Sequence, residues 1–176
     1  LKKEFEMTGL LMDQQERSQA LLAYWNEKLE MVESLVAKVP EAERKSVYYT
    51  GIDVTKANTG EWGNSLIEGA GGVNVTSGLT QGAKGSEISI EQVLEWNPDV
   101  IVVQKTGKGL GELLADERIQ DLNALKNKQV YQFPIGAFWW DRPSPEAPLG
   151  FMWLTKTLYP EYTKELDLKQ ETKAFY

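Results

Sequence analysis

The sequence predicts an α/β fold in three layers, a mainly parallel central sheet between two layers of helix, preceded by one long connecting helix. Three observations predict it. Residues 100–103 (VIVV) are apolar at every position, as a central parallel strand covered on both faces requires. After residue 45, short β-rich runs alternate with helical stretches at the spacing of right-handed β–α–β crossovers. Before it, Ala20, Leu21, Trp25, Leu29, Val32 and Val36 recur every three or four residues, the period of one helix face.

Taken in order, residues 1–12 read as a short helix with Phe5, Leu10 and Leu11 as its apolar positions. Asp13 is expected to cap the next helix, its carboxylate accepting from first-turn amides, with Glu16 three residues on. The apolar stripe carries that helix over residues 13–38, about 39 Å at 1.5 Å per residue. Pro40 ends it. Such length suits either a packing helix or a strut to another part of the molecule. Strands are expected at 46–50 (SVYYT), 73–76 (VNVT), 100–103 and 130–133 (VYQF). Helices are expected at 64–69, 90–96, from about 112 to 125, and at 149–158, closed by Tyr159-Pro160 and followed by a short helix. The chain divides into a helical segment, 1–40, and an α/β lobe, 41–176.

Composition then narrows the chemistry. A chain of 176 residues should bury roughly 70% of the surface its unfolded form exposes, enough for a sizeable core. Its net charge of −7, four arginines and lack of a basic stripe argue against a nucleic-acid partner. Cysteine and histidine are both absent. That excludes disulfides, Cys or His zinc sites, iron–sulfur clusters, thiol nucleophiles and a Ser-His-Asp triad. No run of 18 or more apolar residues, the length a membrane-spanning helix needs, appears. The start lacks a signal-peptide core and an initiating Met, the end stops within a helical pattern, and both termini look cut, as in a fragment of a longer protein.

Several motifs resolve into bland readings. Gly107-Lys108-Gly109-Leu110-Gly111 follows a strand and opens a helix, but has neither nucleotide-loop spacing. Asn74-Val75-Thr76 matches a glycosylation acceptor yet falls in an expected strand. Glu112, Asp116, Glu117 and Asp121 lie at helical spacing beside Arg118, a solvated helix face. No catalytic set, metal site or cofactor is expected.

Two aromatic clusters are more informative. One is Thr59-Gly60-Glu61-Trp62-Gly63-Asn64-Ser65, expected in the loop after the first strand, where a Trp flanked by glycines either meets a ligand or folds back on the core. The other is Phe138-Trp139-Trp140-Asp141-Arg142-Pro143-Ser144-Pro145-Glu146, after the last strand. Indoles beside a guanidinium suit an anionic or planar ligand; the alternative is helix packing with a local Asp141–Arg142 ion pair. Both clusters are expected at the C-terminal ends of parallel strands, the edge where open α/β sheets bind ligands.

Residues 62–72 (WGNSLIEGAGG), 89–103 (SIEQVLEWNPDVIVV), 122–127 (LNALKN), 140–146 (WDRPSPE) and 158–161 (LYPE), in this order after a long helix, carry a resemblance. From about residue 13 to 161 the chain resembles the C-terminal half of substrate-binding proteins of ABC importers for ferric siderophores, haem, cobalamin and molybdate. The resemblance implies an extracytoplasmic, two-lobed protein, periplasmic or anchored at the cell surface, with 13–38 as the interlobe helix and the N-terminal lobe missing. It implies ligand contacts from the loops carrying Glu61 and Trp62, Gln104 and Lys105, and Trp139, Trp140, Asp141 and Arg142. It implies a membrane permease as partner, with Glu68 as a candidate contact. Without histidine a bare transition metal is disfavoured, and the aromatics lean towards a metal chelate, with a molybdate-type oxyanion as the alternative. An α/β enzyme or a sensory domain reusing the fold are the other readings.

Overall fold

Strand β1 (Ser46–Thr50) is the centre of the sheet. On one side it pairs in parallel with β5 (Val100–Val103), Val47 opposite Val100 through Thr50 opposite Val103. Beyond β5 lies parallel β6 (Val130–Gln132). The other side of β1 is shared. Its first residues pair in parallel with β3 (Val73–Asn74), while Thr50 meets Ala57 of antiparallel β2 (Lys56–Ala57), which in turn pairs with β4 (Ser86–Glu87). The computed structural model describes residues 1–51, 53–79, 86–104 and 109–176.

Alternation along the central strands builds the layers. Val47, Tyr49, Val100 and Val102 turn to one face, packing with Val32, Leu35 and Val36 of α2 (Gln15–Val36), Leu66 and Ile67 of α3 (Glu61–Gly69), and Leu149, Met152, Leu154 and Leu158 of α7 (Ala147–Leu158). Tyr48, Ile101 and Val103 turn to the other, under Val93 of α4 (Ile90–Trp96), Leu113 of α5 (Gly109–Leu114), Ala124 of α6 (Asn123–Lys126), and Ile119 and Leu122 just before α6. This is the expected three-layer fold. Ser89 caps α4 by accepting from the Gln92 amide at 3.1 Å, and Asn97 ends it in the left-handed conformation. Helix α8 (Leu168–Phe175) closes the chain against α2.

The structure corrects several sequence expectations. Helix α1 (Lys2–Leu11) and α2 are separate, and Asp13 is no cap: it sits in the break with φ 52°, while Gln14 occupies the N-cap position without a side-chain bond. Ala20 of the proposed stripe is exposed. The expected 112–125 helix is three short pieces, α5, a 3-10 turn at Glu117–Ile119 and α6. Asp116 explains the break, since its carboxylate accepts from the Arg118 amide and starts the 3-10 turn. Strand 73–76 shortens to two residues, because Asn74 turns its side-chain oxygen onto the Thr76 amide and hydroxyl. Asn74 is buried, so the glycosylation motif is structural. Gly107 and Lys108 lie outside the described residues.

Candidate functional site

The segment between β6 and α7, residues 133–146, crosses the C-terminal edge of the sheet and carries the second aromatic cluster. Three indoles fasten it. Trp25 of α2 donates to the Pro145 carbonyl at 3.1 Å, Trp62 of α3 to the Asp141 carbonyl at 3.0 Å, and Trp140 to the Glu146 carboxylate at 3.1 Å. From below, Tyr49 of β1 donates its hydroxyl to Asp141 Oδ2 at 2.6 Å. Asp141 is fully buried, and its Oδ1 has no hydrogen-bond partner among the described residues. Burial, together with the Asp141 charge, pushes the Tyr49 hydroxyl well above its ordinary pKa, so it remains a neutral donor.

Above this buried set lies a small exposed platform. Phe138 stacks on Trp139 with centroids 5.8 Å apart, and the Arg142 guanidinium lies over the Trp139 ring at 5.7 Å. Arg142 also sits 3.9 Å from Asp141 Oδ2, with its side chain 31% exposed, so the guanidinium is steered by the carboxylate yet still presents to solvent. The expected Asp141–Arg142 ion pair is thus present but secondary to the Tyr49 bond.

The first cluster is built differently from expectation. Glu61 and Trp62 are not in a loop after β1; the β2 strand intervenes and both lie in the first turn of α3. Trp62 is half-buried, edge-on to Phe151 at 6.0 Å, and its indole joins the two clusters. Glu61 is exposed at the start of α3, where the first-turn amides have no side-chain cap. Next to them, buried Gln104 accepts from Asn58 Nδ2 at 3.3 Å and Thr59 pairs with Ser86 at 3.0 Å, giving a neutral polar rim.

The structure therefore brings Trp62, Trp139, Asp141 and Arg142 together. It turns Trp140 into the core, 6% exposed, where it packs and bonds internally, which corrects its expected place on the ligand-facing surface. Lys105 lies outside the described residues. Glu68 is exposed near the end of α3. Sequence reasoning missed Trp25, Tyr49 and Glu146, which reach this segment from elsewhere in the chain or act within it, and Phe138, which it quoted without assigning a role. Among the described residues no cluster of acidic side chains could hold a metal ion, and no helix is long and apolar enough to cross a membrane.

Comparison with known proteins gives a consistent set. The family model described as periplasmic binding protein matches residues 1–135. The molybdate-binding protein MolA of Haemophilus influenzae is 32% identical over 180 residues, covering 100% of this chain and 50% of that protein. An ABC transporter solute-binding protein from Sulfurospirillum deleyianum superimposes with a TM-score of 0.86 at 30% identity, over 99% of this chain and 55% of that one. The Haemophilus influenzae MolA structure bound to molybdate gives 0.86 at 29% identity, over 99% and 54%. The chain spans about half the length of these relatives.

Proposed function

The chain belongs to the periplasmic binding protein family, and from that premise we propose that it is the C-terminal lobe, with its interlobe helix α2, of an extracytoplasmic solute-binding protein serving an ABC importer. Recognition, rather than catalysis, is the role of the family. Residues 1–40 would supply the helical connection and 41–176 one wall of the cleft. A permease would be the membrane partner, with exposed Glu68 offered as a contact.

The ligand proposed is a small oxyanion of the molybdate type. One observation carries this: Arg142, held over Trp139 and steered by buried Asp141, is a fixed guanidinium at the sheet edge where this fold binds ligands. The 32% identity with a molybdate-binding relative supports it. The exposed Phe138–Trp139 stack favours a second reading, a metal chelate held by stacking. It ranks second because Trp140 is in the core and the Trp62 indole N–H is already used internally.

The test is a tryptophan-fluorescence titration of the full two-lobed protein with molybdate, tungstate, a ferric siderophore, haem and cobalamin, with R142A alongside. Saturable quenching by the oxyanions that weakens at least tenfold in R142A is the expected result. A response confined to chelates would move the ligand to the second reading. Silence across the panel in a folded protein would overturn both.

A further inference from the structure

Glu146 is 4% exposed and makes no ion pair among the described residues, and its carboxylate is surrounded by donors. Its Oε1 accepts from the Phe138 amide at 2.9 Å, and its Oε2 accepts from Trp140 Nε1 at 3.1 Å and from the Tyr176 hydroxyl at 2.6 Å. The Tyr176 oxygen in turn accepts from the Ala137 amide at 3.1 Å. A buried carboxylate is tolerated when several hydrogen bonds replace its hydration, and charge-assisted bonds of this kind are the strong ones. Two consecutive backbone amides, those of Ala137 and Phe138, are thereby held from opposite ends of one Tyr–Glu unit. The next residue is Trp139, on whose ring Phe138 stacks and over which Arg142 lies.

The unit is also tied to α2. Tyr176 meets Phe175 edge-on at 5.1 Å, and Phe175 packs on Tyr24 of α2 at 5.4 Å. The end of α8 is thus connected through one hydroxyl to the segment that bears the aromatic platform.

We infer that Tyr176 and Glu146 are positioning residues for the ligand platform: the Tyr176 hydroxyl latches residues 137–138 onto Glu146 and so sets the orientation of the Phe138–Trp139 stack and of Arg142 above it. The latch acts through the platform and touches no ligand itself. Its effect on affinity rests on the reading of that platform as an oxyanion site; its effect on the segment does not.

The variant is Y176F in the full-length protein. The Tyr176 residue is 62% exposed, so removing the hydroxyl leaves the core in place. Three readouts are taken: amide hydrogen exchange, the Trp139 emission isolated as the difference from W139F, and affinity for molybdate. Exchange at Ala137 and Phe138 should accelerate roughly tenfold while core amides of β1 and β5 stay unchanged. The Trp139 emission should shift, the molybdate Kd should rise roughly three- to tenfold, and Tm should stay within about 2 °C of the parent. E146Q should do the same and more, since it disturbs all three donors.

Unchanged exchange and emission in Y176F would overturn the latch. So would faster exchange throughout the chain with a large fall in Tm, whereas a freed segment that binds molybdate as tightly as before would overturn the positioning role. If the parent protein binds neither molybdate nor tungstate, the proposed ligand fails, while exchange and emission still decide whether the latch exists.

Discussion

The indole N–H of Trp62 donates to the backbone carbonyl of Asp141 at 3.0 Å, joining the first turn of α3 to the segment before α7 across 79 residues of sequence. The two aromatic clusters are therefore joined into one candidate site, through a bond that carries no side-chain charge. Trp62→Phe tests it, because the ring keeps its edge contact with Phe151 while the donor is lost. The expected cost is about 1 kcal/mol, read as a lower urea midpoint at unchanged m-value. Molybdate affinity of the full-length protein should fall in parallel. A variant as stable and as tight as the parent would remove the bond from the site.

Tyr49 and Asp141 form the buried half of the arrangement. Tyr49→Phe leaves the Asp141 carboxylate buried without its donor, and breaking a buried pair from one side is costly, about 3 kcal/mol. Asp141→Asn removes the charge along with the acceptor's strength and should cost less. The two should be strongly non-additive in a double-mutant cycle on denaturant unfolding, with the double variant near the worse single one. Additive losses would mean that the two groups act separately.

Much of the scaffold was legible because it follows from burial patterns. The all-apolar run Val100–Val103 and the helix over 90–96 fall where the sequence places them, since a strand covered on both faces and a short helix between strands are local signals. Strands β2 and β4 were not legible: each has two residues, and their pairing is set by the chain returning to Thr50 rather than by any alternation. The start of α3 reads as a loop because of Gly63. In the fold that glycine is where the helix passes the Asn58 carbonyl, 2.9 Å from where a Cβ would stand, so it marks close packing rather than a turn. At the site, the residue types Trp, Asp and Arg were legible, but their division of labour was not. That Trp140 serves the core while Trp139 stays at the surface depends on Glu146 and Tyr176, partners that no spacing rule connects to them.

Gly150 offers a test of how tightly α7 supports the site. A Cβ there would overlap the carbonyl oxygen of Trp140, which is backbone and cannot swing aside. Gly150→Ala should therefore destabilise by roughly 1–3 kcal/mol and loosen residues 138–142, seen as faster amide exchange there. Gly111→Ala in α5 is the control. Nothing lies within 4 Å of its Cβ position, so the substitution should be neutral or stabilising by up to about 1 kcal/mol. Equal effects of the two would contradict the packing described.

Stability should be flat across neutral pH and fall on the alkaline side. There is no histidine to titrate between pH 5 and 8. Tyrosines dominate the perturbed groups. Burial pushes Tyr24 up to about 12, its hydroxyl being enclosed without a partner among the described residues. Burial likewise raises Tyr48 and Tyr49, and the Asp141 charge acts in the same direction at Tyr49. A group whose pKa is higher folded than unfolded holds more protons in the native state over the interval between the two values. Its contribution is therefore fully present below the unfolded value, near 10, and is lost as pH rises through the folded one. The acid side differs, because the lowered carboxylates Asp53, Glu87 and Glu165 lie on the surface and half-buried Asp116 pairs with an exposed Arg118, so solvent screens these pairs. Urea midpoints measured from pH 4 to 12 should stay level from 5 to 8 and drop steeply above about 10. Tyrosinate absorbance should lag behind a free-tyrosine titration until unfolding, then rise with it. Midpoints that decline evenly from neutrality, with tyrosinate appearing at its ordinary pH, would mean that these hydroxyls are not enclosed.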